Sequence, residues 1–385
     1  MSLPWHRLEI ESTELARALE REDPVQILDV RAPEALAAGV IQPDAPHRFR
    51  NLRGSVVADT ENLADLGLDA ALPVAVVCGH GNDSLKIAAL LRAHGYEARS
   101  LRGGITSWMR LAIPRELEAP EGFDRLVQFY RVGKGALGYL LVSEDEGLAI
   151  DPSRDWRPYA GLAAEAGAAI TAVADTHVHA DYISGGPAMA AELGIRYHLP
   201  PADAAYPHDG APGRLTFQPL RDGDGIRVGR GCVRAAHTPG HTEGHVTLLA
   251  ADGAAAFTGD FLFVHGLGRP DLAGRSAKCT ADLWRSLERV RHQWSPDTMV
   301  YPAHYGSAAE RNFDRSVGCR FARLCEENEA LRFMEEESFA GWIASRVAPF
   351  PDAYRRIKAI NVGIASVTSA EADVLEAGWN QCAIG

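Results

Sequence analysis

Thr176-His177-Val178-His179-Ala180-Asp181-Tyr182 places two imidazoles and a carboxylate within five residues, 177–181. Side chains two apart in an extended segment point the same way, so His177 and His179 can converge on one point if the stretch ends a strand. Asp181 then lies just past the bend. Nitrogen ligands with one carboxylate oxygen suit zinc or iron, whereas an all-oxygen set suits calcium or magnesium. Two surface histidines in a loop are the plain alternative, and the rest of the chain has to decide.

Other segments repeat the pattern. His237-Thr238-Pro239-Gly240-His241, Thr258-Gly259-Asp260 and Tyr301-Pro302-Ala303-His304 each follow a strand-like run. Strand ends along one edge of a sandwich are where side chains from distant parts of a chain meet. Proline and glycine beside His241 set a turn, and Gly259 admits close backbone approach beside Asp260.

With 385 residues, two domains are expected. The balance of 39 basic against 51 acidic residues, net −12, argues against broad nucleic-acid binding. No run approaches the ~18 apolar residues of a membrane span. Residues 1–20 carry Trp5, His6, Arg7 and several glutamates in place of an apolar leader core, so a cytoplasmic protein without membrane partners is expected. The six cysteines, Cys78, Cys232, Cys279, Cys319, Cys325 and Cys382, lack C-x-x-C spacing and imply neither a disulfide framework nor a zinc knuckle.

Over the first ~115 residues, strand-like runs at 25–30, 73–77 and 97–101 alternate with helical patterns at 12–20, 33–38 and 84–94, which implies a parallel α/β sheet. Cys78-Gly79-His80-Gly81-Asn82-Asp83-Ser84 then occupies a strand-to-helix loop, where backbone N–H groups and a helix N-terminus favour an anion and a nucleophilic thiol. A buried cysteine ending a strand is the alternative.

Asp29-Val30-Arg31 with Glu34, the Cys78 loop, and Leu101-Arg102-Gly103-Gly104 with Trp108 resemble the three landmarks of a rhodanese domain over roughly residues 5–115. The resemblance implies a sulfane sulfur carried on Cys78 as a persulfide, with His80, Gly81, Asn82 and Asp83 lining the substrate loop. Asp83 stands where thiosulfate sulfurtransferases often have arginine, and Gly39-Val40-Ile41 replaces a Gly-His-Ile element, so thiosulfate is the less certain donor. Without an arginine to close the loop on phosphate, a phosphatase is not expected.

The order His-x-His-x-Asp, Thr-Pro-Gly-His, Thr-Gly-Asp, Pro-Ala-His resembles the metallo-β-lactamase superfamily, which implies a four-layer αββα sandwich. Gly266-Leu267-Gly268-Arg269-Pro270-Asp271 after Asp260 looks like the persulfide dioxygenases, relatives of the glyoxalase II thioesterases. The expected organisation is a rhodanese-like domain over 1–115, a linker over 116–124, a catalytic domain over 125–310, and a helical extension over 311–385 packed on it, with a short strand near 359–367.

Binuclear hydrolases of the superfamily hold a second metal with a histidine directly after the first motif's aspartate. Here that residue is Tyr182, whose phenol ionises only near ~10. The resemblance therefore implies one iron(II) per chain on His177, His241 and Asp260, with zinc the alternative. His179, Asp181, Tyr182 and His304 become groups that orient these ligands or support a second metal. The implied reaction oxidises glutathione persulfide, or another small persulfide, with dioxygen to sulfite and thiol, while Cys78 exchanges sulfur among glutathione, sulfite and thiosulfate. Arg269 contacts a substrate anion or pairs with Asp271. A zinc thioester hydrolase remains open, as does a first domain serving only as a binding or homodimerisation module.

Overall fold

The apolar runs Gln26–Asp29, Val74–Val77 and Ala98–Leu101 are buried along their whole length, as the centre of a parallel sheet covered on both faces requires. In the computed structural model, which describes residues 7–41 and 48–384, they form a five-stranded sheet. Its order is Glu9–Ile10, Ala98–Leu101, Val74–Val77, Gln26–Asp29, Phe49–Asn51, and every pairing is parallel. Trp5 and His6 lie outside the described residues. The segment Pro33–Ala38 is a 3₁₀ turn with no buried residue, so an α-helix has nothing to pack against there. Arg31 fixes that turn instead, pairing with Asp29 and donating to the carbonyls of Ala35 at 2.9 Å and Gly39 at 2.7 Å.

This unit extends to Ile113 and takes in Arg131–Lys134 and Ala377–Trp379; the rest of the chain forms a second unit. Glu116 and Leu117, read from sequence as the start of a linker, belong to the strand Ala112–Leu117.

Two larger sheets build the second unit. One has seven strands in the order Gln218–Pro219, Arg196–Leu199, Ala169–Ala174, Glu146–Ile150, Ala136–Ser143, Arg125–Arg131, Ala112–Leu117. The other has six, in the order Gly225–Val228, Gly231–His237, Val246–Ala250, Ala255–Gly259, Met299–Pro302, Cys319–Arg320. Ala136–Ser143 is buried at every position, and it joins the sheets: Tyr139 donates to the carbonyl of Pro302 at 2.5 Å and packs edge-on against Phe257. Helix Ser276–Gln293 buries Cys279, Leu283, Leu287 and Val290, a spacing of three and four that gives one apolar face.

Toward the C-terminus, 308–345 is helical at Phe321–Glu327 and Glu336–Arg346, but Cys319–Arg320 is a strand at the edge of the six-stranded sheet. The strand expected near 359–367 is absent; helix Ala353–Asn361 ends there, and Gly363 at φ +77° turns the chain away. Strand Ala383–Ile384 pairs with Leu267–Gly268, which brings the end of the described chain beside the segment after Asp260. Among the described residues no helix is long and apolar enough to cross a membrane.

Candidate metal centre and sulfur-carrying loop

Strand Ala169–Ala174 ends one turn before His177, and Asp151, at the end of Glu146–Ile150, catches that turn. The Asp151 carboxylate accepts from the backbone N–H of Thr176 at 2.7 Å and from its hydroxyl at 2.9 Å. Asp151 itself adopts φ +47°, a costly backbone for a non-glycine residue that its three acceptor contacts help to hold.

Three buried atoms converge beyond it. His177 Nε2 stands 3.7 Å from Asp260 Oδ2, and His241 Nε2 stands 3.4 Å from the same oxygen. Among the described residues none of the three has a hydrogen-bond partner, and all lie within 4.8 Å of one another. Buried polar atoms are almost always partnered, so three orphans facing a common point fit a cation. Burial pushes both imidazoles down, His177 well below its ordinary value and His241 to about 4. Burial would raise Asp260, but the charge and hydrogen bond of His304 outweigh it and hold the carboxyl low. The set is thus two neutral nitrogen donors and one anionic oxygen, the protonation a metal needs.

Each donor is aimed from behind. His241 Nδ1 lies 2.9 Å from the carbonyl of Arg269, which leaves Nε2 for the centre. His304 holds Asp260 Oδ1 with Nδ1 at 2.6 Å and Asp181 Oδ2 with Nε2 at 3.0 Å. The two carboxylates overcome burial and raise His304 to about 10.

Glycines make room for this packing. A Cβ at Gly259 would meet the Thr176 hydroxyl at 2.4 Å, and one at Gly268 would meet the Asp260 carbonyl oxygen at 1.8 Å. Gly240 lies under helix Ser276–Gln293, where a Cβ would come 2.6 Å from that of Leu283.

His179 belongs to a different cluster, although its ring lies 4.3 Å from that of His177. Its Nε2 faces Asp151 Oδ1 at 3.1 Å and the Tyr182 hydroxyl at 3.0 Å. Tyr182 stacks on His179 and donates to the Asp151 carbonyl at 3.3 Å, so its oxygen supports the loop behind the three orphaned atoms. Asp181 reaches His304 and a third group of potential ligands that includes Cys382.

Of the two readings of Arg269, the pairing is the one formed. Its guanidinium meets Asp271 through two bonds of 2.8 Å and also donates to the carbonyls of Ala348 and Gln381. It is 3% exposed, so its planar fork is filled by protein.

Sequence reasoning missed Asp151, His245 and Asn361. His245 Nε2 accepts from the backbone N–H of Asp260 at 3.0 Å, and its position four residues after His241 was the available signal. Asn361 donates to the carbonyls of His179 and Tyr182 at 2.9 and 2.8 Å; nothing in the sequence near it pointed there.

In the first unit, Cys78 follows Val74–Val77 directly, and its buried sulfur accepts from Gly81 N–H at 3.1 Å and the Ser84 hydroxyl at 3.2 Å. His80, Asn82 and Asp83 are exposed around it, with Asp83 3.9 Å from Lys86. The Gly103-Gly104 turn underlies the loop: Ile105 N–H donates to the Cys78 carbonyl at 2.9 Å.

A family model described as the metallo-beta-lactamase superfamily matches residues 133–304, and one described as a rhodanese-like domain matches residues 11–111. The human protein named persulfide dioxygenase ETHE1, mitochondrial, is 33% identical over 196 residues, covering 49% of this chain and 72% of that protein. A hydroxyacylglutathione hydrolase of Methylococcus capsulatus is 33% identical over 44% of this chain and 61% of its own length. Among solved structures, ETHE1 from Myxococcus xanthus superposes with a TM-score of 0.50 at 25% identity, covering 65% of this chain and 99% of that one. The chain therefore belongs to the persulfide dioxygenase family of the metallo-β-lactamase superfamily, with a rhodanese-like domain in its N-terminal part.

Proposed function

We propose that the chain oxidises glutathione persulfide with dioxygen and water to glutathione and sulfite at a single iron(II) held by His177, His241 and Asp260, and that Cys78 carries sulfane sulfur. Written out, one persulfide, one dioxygen and one water give one thiol and one sulfurous acid, so both oxygen atoms of dioxygen and one of water end on sulfur. The observation that carries the reading is the convergence of three unpartnered, buried donor atoms, two nitrogens and one carboxylate oxygen. Iron(II) in such a set supplies open coordination positions for dioxygen and a thiolate-type substrate. His304 and Asp181 keep Asp260 ionised and oriented, while Tyr182 and Asp151 brace the loop that bears His177.

At Cys78, the Gly81 N–H and Ser84 hydroxyl stabilise negative charge on sulfur. A persulfide there can pass its outer sulfur to sulfite, releasing thiosulfate and the Cys78 thiolate, or take sulfur in the reverse direction. All six cysteines are free, which suits a reducing compartment such as the cytoplasm.

The similarity to hydroxyacylglutathione hydrolases favours a second reading, a zinc thioester hydrolase on the same three ligands. Oxygen-electrode measurement with glutathione persulfide, on protein loaded anaerobically with iron(II) or with zinc, separates the two. Oxygen uptake with stoichiometric sulfite is expected for the iron form alone. Thioester turnover by the zinc form without oxygen uptake by either would overturn the dioxygenase reading. Cys78→Ser is expected to abolish thiosulfate formation and leave oxygen uptake intact; unchanged thiosulfate formation would remove Cys78 from the chemistry.

A further inference from the structure

Ser100, on strand Ala98–Leu101, and Ser84, in helix Asn82–Ala93, are both fully buried and meet hydroxyl to hydroxyl at 2.8 Å. Ser84 reaches on to the Cys78 sulfur at 3.2 Å, and Ser100 to the Gly81 carbonyl at 3.3 Å. Sulfur, two hydroxyls and a carbonyl oxygen thus stand in single file, closed by the Gly81 N–H, which donates to the same sulfur at 3.1 Å. An alanine would fill position 100 of a buried strand without the cost of desolvating a hydroxyl, so the oxygen is there for its hydrogen bonds.

Each hydroxyl has one proton and can also accept, so the file has two arrangements. With Cys78 Sγ neutral, as in a persulfide whose charge sits on the outer atom, Ser84 donates to Ser100 and Ser100 to the Gly81 carbonyl. With charge on Sγ, Ser84 donates to sulfur and Ser100 donates to Ser84. Sulfur transfer moves the charge between these states: a lone pair of sulfite bonds to the outer sulfur, the S–S bond breaks, and its electron pair goes to Sγ, leaving the thiolate. A hydroxyl that itself accepts a hydrogen bond is the stronger donor, and a contact that strengthens only as charge develops lowers the barrier and not the binding energy.

We propose that Ser100 is a positioning residue for sulfur transfer, turning the Ser84 hydroxyl onto the Cys78 sulfur at the moment that sulfur becomes the leaving group. This rests on Cys78 as the sulfur carrier and is independent of the metal centre.

Single-turnover mixing with sulfite tests it, on the full-length protein first persulfidated by glutathione persulfide without oxygen and checked for added sulfur by mass spectrometry of the Cys78 peptide. Ser84→Ala should slow the limiting rate of thiosulfate formation about tenfold, the worth of a hydrogen bond to a charged atom, and Ser100→Ala roughly fivefold, the worth of a neutral one. The half-saturating sulfite concentration should not move in either. The double variant should be no slower than Ser84→Ala, because Ser100 acts only through Ser84. A Ser100→Ala loss that persists in the Ser84→Ala background would mean that Ser100 merely holds Gly81 and would overturn the proposal, as would an unchanged rate in Ser100→Ala. Ser100→Thr and Ser100→Val, alike in shape and different in the hydroxyl, repeat the comparison should the alanine variant fail to fold; equal rates in these two would also overturn it. Absence of added sulfur on Cys78 would instead overturn the carrier reading, and the role of Ser100 with it.

Discussion

Nδ1 of His304 lies 2.6 Å from Oδ1 of Asp260, whose other oxygen faces His177 and His241. One imidazole thus fixes both the orientation and the ionisation of the only carboxylate in the proposed ligand set. His304→Ala removes that support and leaves Asp181 and Asp260 without the cation between them. Loss of an outer hydrogen-bond partner typically lowers metal affinity about 10–100-fold, and iron(II) or zinc affinity should fall by that much in competition with a chromophoric chelator. Unchanged affinity would mean that the backbone alone, through His245, positions Asp260.

Cys78 depends on a contact from a neighbouring turn. Gly104 sits at φ +60°, and a Cβ there would come 2.4 Å from the Cys78 carbonyl oxygen, so Gly104→Ala must displace the sulfur loop. Sulfur transfer is expected to fall at least tenfold with oxygen uptake retained. Gly95→Ala is the control, since Gly95 has φ +89° but nothing within 4 Å of its Cβ position; it carries the backbone strain, about 1–2 kcal/mol, without the collision. Equal loss in both variants would assign the effect to general destabilisation.

Period and punctuation made much of the architecture legible. The continuous apolar runs ending at Asp29, Val77 and Leu101 announced a buried parallel sheet, and Pro239-Gly240 and Gly259 marked turns that the structure needs for close packing. Tertiary supports were not legible, because they arise from pairings far apart in sequence: Asn361 reaches the loop of His179 across 182 positions. Asp151 looked like an ordinary strand terminus, since its left-handed backbone has no local signature. The strand expected near 359–367 failed because apolar residues there cover the end of a helix, a case that a short apolar run cannot resolve by itself.

Arg269, itself buried, and Asp271, partly exposed, are joined by two parallel bonds of 2.8 Å. Asp271→Asn leaves the buried guanidinium facing only carbonyl oxygens, and since breaking a fully buried pair from one side costs about 3–5 kcal/mol, a cost of up to about 3 kcal/mol is expected for this partly exposed one. Urea denaturation should show a loss of that size, partly recovered in the double variant Arg269→Met with Asp271→Asn, where no charge is stranded. Full stability of Asp271→Asn would return Arg269 to candidacy for substrate binding.

Acid and alkali should weaken the metal-stripped protein through different histidines. Burial lowers His241 and His198 to about 4, the latter with added repulsion from Arg196. An unfolded histidine titrates near ~6.5, so between these values the unfolded state binds more protons, and the stability these groups contribute is lost as pH falls from about 6.5 toward 4. His304 runs the other way. Burial opposes its charge, but Asp181 and Asp260 raise it to about 10, so its contribution is complete below about 6.5 and is lost as pH rises through 10. The urea midpoint of the stripped protein should therefore peak near pH 6–7. His198→Gln should flatten the acid limb and His304→Ala the alkaline one. Adding metal should raise the midpoint most at neutral pH and progressively less in acid, where protons compete for His177 and His241. A stripped protein whose midpoint climbs steadily from pH 6.5 to 10 would contradict the sandwiching of His304 between two carboxylates.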